Sequence, residues 1–229
     1  MNFVGSHIIS VDQFDRAAAD RVFEVADKMQ PYAMRQRITR VLQGAILSNM
    51  FFEPSTRTRV SFGSAFNLLG GEVRETTEAK SSSLAKGESL YDTARVLSGY
   101  SDVIVMRHPE SGSVAKLAEA SRVPVINGGD GPNEHPSQAL LDLYTMRTEI
   151  ATHGQSIDGL SIALIGDLRY GRAVHSLCKL LCLYDNIRLH LISPPELALP
   201  HDIVALLRAA GHEVCEFNDM AEGIQGVDI

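Results

Sequence analysis

The chain has few or none of several residue types and patterns, and each shortage excludes a class of protein. Its 229 residues contain no tryptophan and only three cysteines, Cys178, Cys182 and Cys215. Three cysteines without paired spacing predict neither a disulfide framework nor a structural metal site, and we expect Cys178 and Cys182 to be buried thiols on a helix face. No apolar run is long enough to span a bilayer, and Met1–His7 lacks the pattern of a secretion signal. A reduced, cytoplasmic compartment is therefore predicted.

The chain also lacks an excess of positive charge. It carries 21 basic and 28 acidic residues, which gives a net charge of -7. This balance argues against nucleic acid or an anionic membrane surface as the main partner, although local sites for small anions stay allowed. A hydrophobic fraction of 45% is ordinary for a globular protein, and the length suits one large or two modest domains.

Apolar segments alternate with amphipathic ones along most of the chain, which predicts parallel α/β sheets. A first helix is expected over 12–29 and a long helix from Pro136 to about Ile150. The predicted strands are 45–52, 103–106, 123–126, 161–165, 187–192 and 212–217.

The polar segment 151–156 is the best candidate for a domain boundary. We therefore expect two doubly wound parallel-sheet domains, residues 1–150 and 151–229. Residues 226–229 read as the opening of a further strand, so the second domain is expected to be incomplete and the chain truncated.

Residues 51–59, Phe-Phe-Glu-Pro-Ser-Thr-Arg-Thr-Arg, join a buried strand to a helix. Ser55 is the natural N-cap, so the unpaired N–H groups of the first turn and the positive end of the helix dipole converge beside hydroxyl and guanidinium groups. That combination predicts a phosphate site. It is not a nucleotide P-loop, because no Gly-x-x-x-x-Gly-Lys-Ser/Thr occurs. A capped helix with two solvated arginines is the structural alternative.

Other unusual residues follow predicted strands, where ligands bind in open α/β sheets. Arg107 ends one strand, and a glycine-rich stretch leads to His135 and Gln138, three residues apart at a helix start. Taken alone, a strand-end arginine and a helix-start histidine are commonplace surface residues. The turn at Gly166 lacks the Gly-x-Gly-x-x-Gly spacing, so a dinucleotide cofactor is not expected.

The segment 51–59 resembles the carbamoyl-phosphate signature of the aspartate and ornithine carbamoyltransferases. Four further segments resemble the aspartate enzymes in the same order: Ser-Ser-Ser-Leu-Ala-Lys-Gly-Glu (81–88), Met-Arg-His-Pro (106–109), His-Pro-Ser-Gln (135–138) and Gly-Asp-Leu-Arg-Tyr-Gly-Arg (166–172). The ornithine enzymes tend to carry a cysteine before the glutamine. Gly63 departs from the family, which usually has a glutamate there.

The resemblance implies a role for each matching residue. The implied phosphate ligands are Ser55, Thr56, Arg57, Thr58 and Arg107. Thr58, Arg107 and His135 would polarise the carbamoyl carbonyl, Gln138 would meet the amide, and Arg172 would hold aspartate. Lys86 and Ser82 would reach the site from a neighbouring subunit, and Lys86 counts with Thr58, Arg107 and His135 as catalytic. Glu53 matches an acidic residue that pairs across the domains on closure, with a solvated loop glutamate as the alternative.

The implied reaction transfers the carbamoyl group of carbamoyl phosphate to the L-aspartate amine in pyrimidine biosynthesis. The resemblance implies that the protein uses no cofactor and no metal. It also implies a homotrimer with active sites shared between subunits, and it is compatible with a regulatory or dihydroorotase-type partner. The alternatives are an ornithine carbamoyltransferase and a truncated, non-catalytic homologue that binds carbamoyl phosphate or assembles with partners.

Overall fold

A computed structural model describes residues 2–77 and 87–229, and the chain divides into two compact units. The first comprises Met1–Gln13 with Asp20–Pro136, and the second comprises Phe14–Ala19 with Ser137–Ile229. The functional division after residue 150 stays a prediction. No helix among the described residues is long and apolar enough to cross a bilayer.

The first unit contains a four-stranded parallel sheet with the order β2-β1-β3-β4. Its strands are β1 (Ile46–Phe51), β2 (Glu72–Thr76), β3 (Val103–His108) and β4 (Val125–Asp130). The helices up to β4 are α1 (Arg16–Ala33), α2 (Thr56–Leu68), α3 (Leu90–Leu97) and α4 (Ser113–Ala120). The strand order reverses between β1 and β3, so the sheet is doubly wound as predicted.

Helices cover both faces of this sheet because successive side chains of a strand point to opposite faces. Leu47, Phe51 and Val105 pack against Phe62 and Phe66 of α2 on one face. On the other face, the cluster comprises Met50, Ile104 and Met106 with Ala94 of α3 and Val114 and Leu117 of α4. Burying each large apolar side chain of this kind contributes roughly 1.5–3 kcal/mol.

The second unit contains a three-stranded parallel sheet with the order β5-β6-β7. Its elements are α5 (Pro136–Ala151), β5 (Ser161–Ile165), α6 (Arg172–Leu181), β6 (Arg188–Ile192), α7 (His201–Ala209), β7 (Glu213–Phe217) and α8 (Met220–Gly223). Residues 226–229 adopt no regular strand. The Asp228 N–H nevertheless donates to Ser161 O at 2.7 Å, and the Ala163 N–H donates to Ile229 O at 2.8 Å, along the side of β5 away from β6.

The predicted α/β class with parallel sheets is confirmed, but several details differ. The first helix begins later than predicted, at Arg16, after a 3₁₀ turn at Val11–Gln13. Strand β2 was not predicted, because Glu-Val-Arg-Glu-Thr is mostly charged and forms an edge whose register is supplied by β1. Strand β4 runs on to Asp130 through Gly128 and Gly129, where we expected only a loop.

Candidate active site at the switch point of the first sheet

The candidate site lies at the carboxyl ends of β1 and β3, where the strand order reverses. Ligands bind at such switch points because the loops from neighbouring strands diverge there and leave a crevice. Phe51 and Arg107 are register partners in the two strands, and the Phe52 N–H donates to Arg107 O at 2.9 Å. The sheet thus places Arg107 beside the carboxyl end of β1, after which the chain continues into α2.

The first turn of α2 has the geometry expected of an anion site. Ser55 is the N-cap, as predicted, with extended backbone angles of φ −161° and ψ 97°, and its side chain makes no capping hydrogen bond. Thr56 and Arg57 are exposed, whereas Thr58 is half-buried. The first N–H groups of a helix have no intrahelical acceptor and lie at the positive end of its dipole. A phosphate bound here would meet several donors at once.

Arg107 projects from the end of β3 and is held in place by acceptors. Its Nη2 donates to Glu53 Oε1 at 2.6 Å, and its Nη1 donates to Gly128 O at 3.4 Å. The Arg107 side chain is only 12% exposed, so most of the guanidinium and its stem is shielded from water. Because Glu53 pairs with Arg107, the alternative interpretation of Glu53 as a solvated loop glutamate is wrong. Its pairing across the domains stays a prediction.

His135 follows the loop after β4 and immediately precedes α5, whose first residue is Pro136 as predicted. The imidazole is buried, with 6% of the residue exposed. The preceding loop is held by Asp130, whose carboxylate accepts hydrogen bonds from both sides of the loop. Sequence reasoning treated Asp130 as part of a glycine-rich turn and did not single it out. The available signal was a carboxylate among residues that favour turns, where side-chain acceptors commonly fix the backbone.

His108 stands next to this edge but has a different character. Its Nδ1 accepts a hydrogen bond from the Glu110 N–H at 3.1 Å, and its ring packs edge-on against Phe52. Burial lowers the pKa of His108 below its ordinary value of 6.5, so the ring is neutral near pH 7. We therefore assign it no role as a cation at the site.

Two predicted site residues belong to the second unit. Gln138 lies in the first turn of α5, and its Nε2 donates to Asp142 Oδ1 at 2.8 Å. Burial raises the pKa of Asp142, with a smaller opposing effect from Gln138. Arg172 is the first residue of α6 and follows a turn in which the Asp167 carboxylate accepts from the N–H groups of Arg169 and Tyr170.

The first unit thus places six predicted residues at or beyond the carboxyl ends of its strands: Ser55, Thr56, Arg57, Thr58, Arg107 and His135. Ser82 and Lys86 lie outside the described residues. Within residues 2–77 and 87–229, no group of three or more His, Cys, Asp or Glu side chains is arranged to hold a metal ion.

Fold and site together define a doubly wound α/β protein with a candidate anion site built from a helix start and an arginine. The family model described as "Aspartate/ornithine carbamoyltransferase, carbamoyl-P binding domain" matches residues 6–148. The chain belongs to the aspartate/ornithine carbamoyltransferase family.

Named relatives and solved structures agree with this family. The aspartate carbamoyltransferase catalytic subunit of Saccharophagus degradans is 69% identical over the whole chain, which spans 68% of that protein. The catalytic subunit of aspartate transcarbamoylase from M. jannaschii has a TM-score of 0.87 at 47% identity, covering 95% of this chain and 70% of that one. The Trypanosoma cruzi aspartate transcarbamoylase, solved with carbamoyl aspartate and phosphate, has a TM-score of 0.89 at 39% identity, covering 98% and 73%.

Proposed function

We propose that this chain is the catalytic chain of an aspartate carbamoyltransferase. It would transfer the carbamoyl group of carbamoyl phosphate to the amine of L-aspartate, giving N-carbamoyl-L-aspartate and phosphate. The observation that carries this proposal is that α2 begins just after β1 while Arg107 ends the adjacent strand β3, so both lie at the switch point of the first sheet. The names of the relatives supply the identity of the two substrates.

The phosphate of the first substrate would bind at the start of α2. Ser55, Thr56, Arg57 and Thr58 offer hydroxyl groups, backbone N–H groups and one guanidinium, and Arg107 approaches from β3. A bound dianion would replace the Glu53 carboxylate as an acceptor for Arg107. Charge-assisted hydrogen bonds of this kind are roughly twice as strong as neutral ones.

The carbamoyl carbonyl would be polarised by Thr58, Arg107 and His135, and Gln138 would orient the amide. Attack by the aspartate amine places negative charge on the carbonyl oxygen, so donors that are already fixed in position stabilise the transition state most. Removing one such donor typically lowers the rate by about 10²-fold or more. The buried ring of His135 and the ion-paired guanidinium of Arg107 are groups of this preorganised kind.

The second substrate and the assembly complete the proposal. Arg172 would bind a carboxylate of aspartate, and Lys86 with Ser82 would come from an adjacent subunit of a cytoplasmic homotrimer. A regulatory or dihydroorotase-type partner would bind outside this site. Holding two anionic substrates together against their repulsion accounts for much of the expected acceleration. The departing phosphate is the proposed proton acceptor, since the described site residues offer no evident general base.

Titration with N-(phosphonacetyl)-L-aspartic acid, which joins features of both substrates, tests the phosphate site. Arg57→Ala should weaken binding at least about tenfold, equivalent to about 1.4 kcal/mol, because it removes a charged donor. Arg122→Ala is the matched control, since it removes the same charge from an exposed residue outside the site. Unchanged affinity in Arg57→Ala would overturn the assignment of Arg57 as a phosphate ligand.

A phosphate-release assay with each acceptor tests the second substrate. We expect whatever carbamoyl transfer this chain catalyses to go to aspartate and none to ornithine. Turnover with ornithine alone would establish the ornithine enzyme instead, and binding without turnover on either acceptor would favour a non-catalytic homologue.

A further inference from the structure

The Asp130 carboxylate accepts four hydrogen bonds near the site, and neither the motifs nor the proposed mechanism uses it. The residue is 2% exposed and ends β4. Its Oδ1 accepts from Asn127 Nδ2 at 3.0 Å and from the Glu134 N–H at 3.1 Å. Its Oδ2 accepts from the Gly112 N–H at 2.8 Å and from Asn133 Nδ2 at 3.1 Å.

One of these donors, the Gly112 N–H, connects Asp130 to the loop that follows Arg107. Gly112 is the N-cap of α4, in the loop between β3 and α4. The loop after β4 also contacts the end of β3 directly, because the Gly131 N–H donates to His108 O at 2.9 Å. Gly131 has φ 54°, and a Cβ there would lie 2.8 Å from Pro109 O, so the two backbones approach as closely as glycine allows.

Asp130 also fixes the residue immediately before His135. Its N–H donates to Glu134 O at 3.2 Å while its carboxylate accepts from the Glu134 N–H, so both backbone groups of Glu134 are held. The Glu134 carboxylate in turn accepts from Ser10 Oγ at 3.1 Å and from the Val11 N–H at 3.4 Å. Glu134, the residue before His135, is therefore held by Asp130 through its backbone and by Ser10 and Val11 through its side chain.

We propose that Asp130 is a positioning residue that fixes His135 relative to the Arg107 end of β3, and thereby lets the site distinguish carbamoyl phosphate from inorganic phosphate. The inference rests on the proposed function, in which His135 meets the carbamoyl carbonyl. Inorganic phosphate has no such carbonyl and relies on the start of α2 and on Arg107, neither of which Asp130 contacts through any of its four accepted hydrogen bonds.

Asp130→Asn tests this inference because it preserves size while replacing one acceptor oxygen by a donor. In either orientation of the amide, two of the four donors would face an N–H₂ group. Calorimetric titration should show carbamoyl phosphate binding weakened about tenfold and inorganic phosphate binding weakened less than about twofold.

Two further variants separate positioning from folding. Asp102→Asn is the matched control, since Asp102 accepts from the Ile46 N–H at 2.8 Å at the amino edge of the same sheet. It should leave the ratio of the two affinities unchanged. Asn133→Ala removes one exposed donor from Asp130 and should shift the ratio in the same direction as Asp130→Asn by about two- to threefold.

Equal weakening of both ligands, or no weakening of either, would overturn the role of Asp130. If the wild-type chain fails to prefer carbamoyl phosphate, the proposed function fails instead. The His135 ring resonances, assigned by their loss in His135→Gln, then decide the positioning role by NMR. A shift in Asp130→Asn but not in Asp102→Asn supports that role, and an unmoved resonance refutes it.

Discussion

The ion pair between Arg16 and Asp158 in the second unit predicts a specific loss of stability in acid. Arg16 Nη1 and Nη2 donate to the two Asp158 carboxylate oxygens at 2.9 and 2.6 Å. The Asp185 N–H and Ser156 Oγ donate to the same carboxylate at 2.9 and 3.0 Å. The Arg16 hydrogen bonds are the largest cause that lowers the pKa of Asp158 from 3.8 to about 2.

The size of the effect follows from linkage. A pKa lowered from 3.8 to about 2 corresponds to about 2.4 kcal/mol at 1.36 kcal/mol per pH unit. The side chains of Arg16 and Asp158 remain 41% and 30% exposed, so solvent screening reduces the expected contribution to about 1 kcal/mol. Because the folded pKa lies below the unfolded one, this stability is present above pH 3.8 and is lost as the pH falls through about 2.

Urea unfolding of Asp158→Asn, followed by far-ultraviolet circular dichroism, measures this contribution. At pH 7 the variant should lose about 1 kcal/mol, and its stability should fall less steeply than that of wild type between pH 4 and pH 2. Glu213→Gln is the control, because Glu213 pairs with Arg188 on the surface and should change unfolding little. Identical pH profiles for wild type and Asp158→Asn would refute the reasoning.

Three other predictions concern Gly63 of α2 and Cys178 of α6. A Cβ at Gly63 would lie 3.6 Å from Glu75 Oε1, an ordinary contact, so Gly63→Ala should stabilise the helix by about 0.5–1 kcal/mol in thermal unfolding. Gly63→Glu should lower the melting temperature, because it brings a second carboxylate near Glu75. A melting temperature above that of wild type would contradict this reasoning. Burial raises the pKa of Cys178 to about 12. An aromatic disulfide reagent should therefore label Cys178 only when the protein unfolds, and after it has labelled Cys215. Rapid labelling of Cys178 in the folded protein would contradict this expectation and show that the region around Cys178 opens.

The sequence was most informative where local chemistry and local structure coincide. The strand-to-helix junction at 51–59 carries its own N-cap, dipole and charged donors, so both the element boundary and the anion site could be predicted. The apolar core of β1 and β3 was equally visible, because buried parallel strands have nearly continuous apolar residues. The charged edge strand β2 carries no such signal, since its pairing depends on the backbone of β1.

Long-range contacts account for what sequence reasoning missed at the site. Nothing local to Glu53 indicates that its carboxylate lies 2.6 Å from Arg107, 54 residues away in the chain. Similarly, Asp130 appears in sequence as one polar residue of a turn. Only the adjacency of β3 and β4 brings it to Gly112 and makes it a link between two loops.

The amino-acid sequence by itself determined the class of fold, the phosphate-binding character of the α2 start and the family resemblance, because each resides in contiguous residues. The tertiary structure alone decided the strand order and register that set the start of α2 and Arg107 on adjacent strands, β1 and β3. It also decided which carboxylates hold the arginine and the loop before the histidine. The physical reason is that strand order and register set these neighbours, and both arise from pairing between segments distant in the chain.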